Sequence, residues 1–355
     1  MKSISLRQRI ALELNRRLKH DRRREHTLHQ LFWECTWRCN LSCRHCGSDC
    51  KSSSLLPDMP AEDFIRVIDT LTPHVDPHLV NIIITGGEPL VRADLEKVGR
   101  QLYDRGYPWG IVTNGLMLTP ARLASLRRAG LHNITISLDG LEEEHNWMRN
   151  HPQSFSRAIE AIRNVAAATD LNFDVVTCVN RRSLGRLAEL KELLIDAGVK
   201  AWRLFTIFPS GRAAEYPEFE LTASELDTLM RFIADTRREG RIKASFCCEG
   251  FMAGYEGEVR DTFFECRAGV SVASILLDGG IGSCPSIRAD YRQGNIYEDD
   301  FWDVWQNRFA PYRDRAWMKT GPCADCSHWR YCEGNGMHLR VGDGRLLHCH
   351  MLKHS

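Results

Sequence analysis

Six short β-branched apolar stretches, each followed by a segment of helical period, constrain this chain more than any other feature. The stretches are 31–36, 80–85, 109–113, 133–138, 173–179 and 201–208. The helical segments that follow them are 61–71, 93–105, 120–129, 154–168, 184–197 and 222–239. Thr119 before Pro120, and Thr222 with Glu225 three residues on, are helix-start signals. Gly130 and Gly198 sit where C-cap glycines belong. Strand and helix alternating in this way predict an α/β fold with a parallel sheet that is curved or barrel-like. In such a sheet the chemistry lies at the C-terminal ends of the strands. The residues there are suggestive. Cys39 follows the first strand, Gly86-Gly87-Glu88-Pro89 the second, Asn114-Gly115 the third and Asp139-Gly140 the fourth.

Beyond about residue 245 the alternation stops, and cysteine, tryptophan and glycine dominate. A chain of 355 residues has room for about two domains. The expected division is an N-terminal basic helix over 1–30, a β/α core over 31–244 and a cysteine-rich domain over 245–355. In the first segment Leu6, Ile10, Leu14 and Leu18 recur every four residues, an amphipathic helix. Nine Lys and Arg stand there against three Asp and Glu. The expected arrangement docks the helix on the main domain and leaves a basic face in solvent. The other reading is contact with a partner or an anionic surface.

A net charge of +1 gives no whole-molecule field that would favour nucleic acid. No apolar run reaches the ~18 residues of a membrane span. The basic start lacks the apolar region and cleavage site of a signal peptide. A reducing, cytoplasmic setting is therefore expected. There, fourteen cysteines read as metal ligands rather than disulfides.

Four of them fall within Cys39-Asn-Leu-Ser-Cys43-Arg-His-Cys46-Gly-Ser-Asp-Cys50. Thiolates suit zinc, copper(I) or iron–sulfur clusters. Structural zinc sites use two separated cysteine pairs, and no second pair lies near this loop. Three cysteines on one short loop can wrap three corners of a cubane. Cys50 could offer the fourth, as in tight ferredoxin-type runs. Spacing alone thus leaves an electron carrier open.

The triplet Cys39-x3-Cys43-x2-Cys46 after one strand, with Gly86-Gly87-Glu88-Pro89 after the next, resembles the radical S-adenosylmethionine (radical SAM) superfamily. The resemblance implies a partial (β/α)6 TIM-like barrel. It also implies a [4Fe-4S] cluster held by Cys39, Cys43 and Cys46, with one iron left open for the amine and carboxylate of SAM. Cys50 then stays outside, as a surface thiol or one neighbouring the ligands. The implied reaction is reductive cleavage of SAM to methionine and a 5′-deoxyadenosyl radical, which removes hydrogen from substrate. An electron donor of flavodoxin or ferredoxin type is implied with it. Gly86, Gly87 and Pro89 would bring backbone to the methionine amine, and Glu88 would complement its charge. Ser137 and Arg149 match SAM-contacting positions. On their own they read as a capping hydroxyl and a surface arginine. Asn114 points to the barrel mouth, and Arg212 lies in a family loop of unassigned role.

The C-terminal region resembles the SPASM extension of radical SAM enzymes that modify peptides and proteins. Cys323-x2-Cys326-x5-Cys332 with Cys349 implies one complete auxiliary [4Fe-4S] site, with zinc as the alternative. Cys266-x12-Gly279-x4-Cys284 matches the opening of a second, but Gly336 stands where that set expects a cysteine. Cys266 and Cys284 remain, with Cys247 or Cys248 as candidate replacements. The alternatives are a three-cysteine cluster, His338 as a ligand, or no cluster. The implied substrate is a peptide or protein side chain, with a tetrapyrrole or other small molecule as the alternative. Pro285, where sulfatase-maturing relatives carry Asp, counts against that activity. The stretch Phe32–Trp37 is similar to a branch paired with lipoproteins. A non-enzymatic electron carrier would explain the cysteines but not the Gly86–Pro89 motif.

Overall fold

The computed structural model describes residues 2–247 and 249–352. Among them, seven parallel strands pair in sequence order. They are β1 (Gln30–Thr36), β2 (Asn81–Gly86), β3 (Trp109–Thr113), β4 (Leu131–Ser137), β5 (Asn172–Val179), β6 (Ala201–Thr206) and β7 (Lys243–Phe246). Three short strands prolong the sheet from the other side of β1. These are β8 (Val272–Ile275), parallel to β1, and then β9 (Gly280–Gly282) and β10 (Gly294–Asn295), both antiparallel to their neighbours. Ten strands thus form one sheet, and the cysteine-rich region is joined to the barrel through β1. Strand order that follows sequence order is what serial β/α crossovers of one hand produce.

The helices are α1 (Leu6–Glu25), α2 (Ala61–Leu71), α3 (Leu95–Asp104), α4 (Pro120–Arg128), α5 (Glu142–Arg149), α6 (Ser154–Ala166), α7 (Arg181–Leu184), α8 (Leu187–Asp196) and α9 (Ala223–Glu239). The C-terminal region adds α10 (Phe301–Asn307), α11 (Ala310–Arg313) and α12 (Trp329–Cys332). Thr119 accepts from the Arg122 N–H, and Thr222 forms a capping box with Glu225. The core lies between the sheet and these helices. Trp33, Trp109, Trp202 and Phe64 are fully buried in it, with Trp33 stacked on Phe64 at 4.5 Å.

Several expectations change. The strand expected over 201–208 stops at Thr206, and β7 was not expected, being only four residues long. The helix expected over 184–197 begins earlier and breaks at Gly185, because Asn180 caps its own short turn, α7. Helix α5 has no apolar stripe to announce it. Glu142, Glu143 and Glu144 in its first turn favour the helix N-terminus instead.

The largest correction concerns α1. The row Leu6, Ile10, Leu14 and Leu18 was expected to dock, and all four are exposed. The helix is held by its polar side. Buried Lys19 donates to the Tyr331 carbonyl at 2.7 Å. Arg22 pairs with Glu265, Arg23 with Glu333, and Glu13 receives Arg330. Carboxylates and carbonyls of the C-terminal region attract this face more specifically than apolar surface could attract the other. No helix of the described residues is long and apolar enough to cross a membrane.

Candidate functional site

The loop after β1 carries the cysteine triplet and is closed at its base. The Cys39 N–H donates to Lys51 O at 2.7 Å. Two other elements grip it. The Arg44 N–H donates to Met148 O at 2.9 Å, tying the loop to α5. Arg212 donates through Nε to Cys43 O at 2.8 Å and through Nη1 to Asp49 and Cys50 O. Arg212, whose role the sequence left unassigned, is therefore a clamp on the cysteine loop.

Gly86 and Gly87 serve the same loop. The Gly87 N–H donates to Thr36 O at 2.7 Å and the Glu88 N–H to Arg38 O at 3.0 Å. A Cβ on Gly86 would collide with the Thr36 carbonyl, and one on Gly87 with the Arg38 carbonyl. Gly86 also has φ +138°, a conformation open to glycine. The close approach seen here is thus to the cysteine loop's own backbone. We predict that Gly86→Ala lowers stability by about 2–3 kcal/mol through that strain, read as a lower urea midpoint. An unchanged midpoint would refute the close fit.

Glu88 was expected to face a ligand amine, and its carboxylate is turned inward instead. It is buried and accepts from Thr113 Oγ1 at 2.7 Å, the Asn114 N–H at 2.8 Å and the Leu90 N–H at 3.2 Å. It pins the end of β3 to the loop after β2. Pro89 starts the short turn after it and is buried. Asn114 donates to Asn40 Oδ1 at 2.8 Å and lies 3.9 Å from Cys39 Sγ. Ser137 ends β4, its hydroxyl making no hydrogen bond to another described residue.

Arg149 is no surface arginine. It ends α5, buried, with Nε 2.7 Å from Asp139 Oδ2 and Nη1 3.8 Å from Cys43 Sγ. Burial alone would raise the Asp139 pKa, but the Arg149 guanidinium together with His45, His145 and the Cys178 N–H outweighs it and holds the carboxyl at about 2. His45 and His145 pack around the same carboxylate, and burial pushes them down to about 4 and about 3. Cys178 closes the group, its N–H on Asp139 Oδ1 at 3.0 Å. Sequence reasoning passed over Asp139, His45, His145 and Cys178. The only signals were Asp139-Gly140 at a strand end and a histidine inside the cysteine triplet.

Cys50 is buried beside Cys46. Its thiol donates to the Cys46 sulfur, which holds Cys46 below the ordinary thiol value. Another carboxylate, Glu249, lies buried at the end of β6 against Thr206, and burial pushes it up to about 8. None of the described cysteines forms a disulfide.

In the C-terminal region Cys323, Cys326, Cys332 and Cys349 line one cavity of about 590 Å³. Burial pushes Cys332 up to about 12, with Cys349 and Cys323 adding to the rise. Arg340 Nη2 donates to Cys323 Sγ at 3.3 Å. The other set differs. Cys266 lies against buried Arg315, which with backbone donors outweighs burial and keeps its pKa below the ordinary thiol value. Burial pushes Cys284 up to about 11. Cys247 is bonded to Arg203 of β6, and Cys248 lies outside the described residues. His338 packs its ring on Phe208 at 5.0 Å.

The radical SAM superfamily matches residues 33–194, and the SPASM iron–sulfur cluster-binding domain matches residues 266–327. The chain is 30% identical over 324 residues to the mycofactocin maturase MftC of Mycolicibacterium smegmatis, covering 88% of this chain and 79% of that one. It belongs to the radical SAM superfamily. The AdoMet-dependent heme synthase of Methanosarcina barkeri is 28% identical, covering 86% of this chain and 90% of that one. Streptococcus suis SuiB, solved with S-adenosylmethionine, shares the fold at TM-score 0.68 and 18% identity, over 91% of this chain and 77% of its own.

This radical SAM chain is an enzyme, and its family implies a [4Fe-4S] cluster with SAM and, through SPASM, auxiliary clusters. The residues present fit the first of these. Three thiols share one clamped loop, and two side-chain donors, on Asn114 and Arg149, lie at hydrogen-bonding range of their sulfurs. Burial pushes Cys39 up to about 12, so its thiolate needs a cation to form. Cys323, Cys326, Cys332 and Cys349 fit an auxiliary cluster: four thiols line one cavity, and burial with neighbouring thiols pushes Cys332 and Cys349 up. The described residues at Cys266 and Cys284 do not fit a further cubane. They bring two thiols, fewer than a cubane requires.

Proposed function

We propose that the enzyme holds its SAM-binding cluster on Cys39, Cys43 and Cys46 and an auxiliary cluster on Cys323, Cys326, Cys332 and Cys349. In this reading the core ends near residue 245, and electrons come from a flavodoxin- or ferredoxin-type donor in the cytoplasm. When bound, the cluster and SAM supply a 5′-deoxyadenosyl radical that takes a hydrogen atom from substrate. The chain's residues do the rest. Arg212 and Arg44 hold the cysteine loop. The Gly86–Pro89 turn sets its height against β2. Asn114 and Arg149 offer donors to its sulfurs. The Ser137 hydroxyl is available to a ligand at the sheet's C-terminal end.

The substrate is a peptide or protein side chain, and one observation carries this choice. A cavity of about 590 Å³ opens beside the cysteine loop, between Gly47–Asp49 and residues 276–292. Its charged lining is four carboxylates, Glu34, Asp49, Asp278 and Asp290, against two guanidinium groups, Arg288 and Arg292. Both guanidinium groups are already paired, Arg288 with Glu34 and Arg292 with Asp278. A tetrapyrrole carrying several carboxylates would meet like charge there with no free cation to receive it. The carboxylates are engaged as well, Glu34 with Arg288, Asp278 with Arg292 and Asp49 with Arg212, so a largely uncharged peptide segment fits this lining, with Trp37, Tyr291 and Tyr312 as aromatic surface. The heme-synthase relative favours the tetrapyrrole reading by family alone.

The test is a competition of substrates. Anaerobically reconstituted enzyme with reductant and SAM receives either a library of short peptides or iron-coproporphyrin III. The expected result is 5′-deoxyadenosine with a mass change in a peptide, and no change in the porphyrin. A decarboxylated porphyrin would overturn the peptide assignment.

A further inference from the structure

The N-terminal helix presents a face that the fold does not use. Leu6, Ile10, Leu14 and Leu18 are 75%, 59%, 58% and 53% exposed, the reverse of an amphipathic helix seated on its own protein. The opposite side is occupied. Leu12 and Lys19 are buried, Gln8 donates to the Gly254 carbonyl at 2.7 Å, and Arg22 and Arg23 are paired to Glu265 and Glu333. The row is therefore held outward by a fixed anchor. It runs about 18 Å at 1.5 Å per residue.

The charges around the row are a second, separate observation. Arg7, Arg9, Arg17 and Arg24 are exposed and make no ion pair with a described residue. By helical periodicity Arg7 and Arg17 fall on the same arc as the leucines. The acids Asp21 and Glu25 stand only in the last turns, and Glu13 is taken by Arg16 and Arg330. The surface thus combines a straight apolar strip with arginines along its length, while the acids on the same arc, Asp21 and Glu25, follow only after Leu18.

We propose that α1 lays this strip into the surface of an anionic lipid bilayer. Leu and Ile side chains enter the boundary between headgroups and acyl chains, and the arginines reach back to the phosphates. A second copy of the chain fits worse. Pairing the row antiparallel with itself sets Arg7 of one chain beside Arg17 of the other, and pairing it parallel sets each arginine beside its own copy. Neither arrangement brings a carboxylate to them. A protein groove would have to accept two arginines interleaved among the leucines, whereas a fluid headgroup layer accommodates them without a shaped pocket. Membrane attachment is independent of which substrate the enzyme takes.

The test uses the full-length, cluster-loaded enzyme and co-sedimentation with vesicles. One set is phosphatidylcholine mixed with phosphatidylglycerol, and the other is phosphatidylcholine alone. Binding is expected on the mixed vesicles, weaker by about tenfold or more on the neutral ones, and weakening as salt rises. Arg7→Ser with Arg17→Ser should weaken it about fivefold per arginine. Ile10→Asp with Leu14→Asp should abolish it while circular dichroism and SAM cleavage stay unchanged, since both side chains are exposed. Absence of binding to the mixed vesicles, or equal binding to both sets, overturns the proposal. So does a dimer in solution that the Ile10→Asp, Leu14→Asp variant splits.

Discussion

Replacing Cys43 with alanine should remove 5′-deoxyadenosine formation to the background, with loss of the iron held by the triplet. Replacing Cys50 should not. The two residues lie on one loop and are both buried, so burial cannot distinguish them. Their surroundings can. Cys43 has the Arg149 guanidinium 3.8 Å from its sulfur, and its backbone carbonyl is held by Arg212. Arg212 holds the Cys50 carbonyl too, but the Cys50 thiol meets the Ser48 carbonyl and Cys46 rather than a guanidinium. Cys50→Ala removes that donor from one ligand, a change in a ligand's neighbour. Such changes cost about 10–100-fold in metal affinity, and the low end applies to one thiol. Iron content and 5′-deoxyadenosine yield, measured on both variants side by side, decide the point. Equal loss from the two would mean that Cys50 occupies the corner assigned to SAM, and the open position would be gone.

Arg149→Met should destabilise the protein by about 3–5 kcal/mol, because it leaves the Asp139 carboxylate buried without its partner. Asp139 is otherwise surrounded by His45 and His145, both held neutral by burial, and by the Cys178 N–H. Adding Asp139→Asn should recover part of that loss, since it removes the stranded charge. The pH dependence follows from the direction of the Asp139 shift. Its carboxyl sits at about 2 in the folded chain, against about 3.9 when unfolded. A depressed acid contributes stability that is present above the unfolded value and lost as pH falls through the folded one. The unfolded value is common to both chains. The gap between wild type and Arg149→Met should therefore narrow as pH falls from the variant's own Asp139 value, raised by burial without its partner, towards about 2. His45 and His145 gain protons in the same range. A urea series across that range checks it. A gap that stays constant would mean that Arg149 acts through packing and not through the carboxylate.

Some of this was written in local pattern and some was not. The six strand-and-helix repeats needed only the alternation of β-branched and helical periods, because each repeat makes most of its contacts with sequence neighbours. The cysteine loop and the Gly86–Pro89 turn were visible as residues. Their relation was not. The turn's glycines are shaped by Thr36 and Arg38, some fifty residues earlier, and Glu88 is consumed by Thr113 and Asn114. Arg149 read as a surface residue because α5 has no apolar stripe, and its burial depends on Asp139 from the preceding strand end.

The amino-acid order alone determined the α/β class, the thiol-rich loop at a strand end and the four-thiol set near the C-terminus, since these rest on spacings within short segments. Tertiary structure decided which side of α1 meets the protein, which charges surround the cavity beside the cysteine loop, and that Arg212 and Arg149 converge on that loop. Those outcomes depend on carboxylates and carbonyls brought together from distant parts of the chain. Electrostatic and hydrogen-bonding partners of that kind are set by distance in space, which periodicity along the chain does not record.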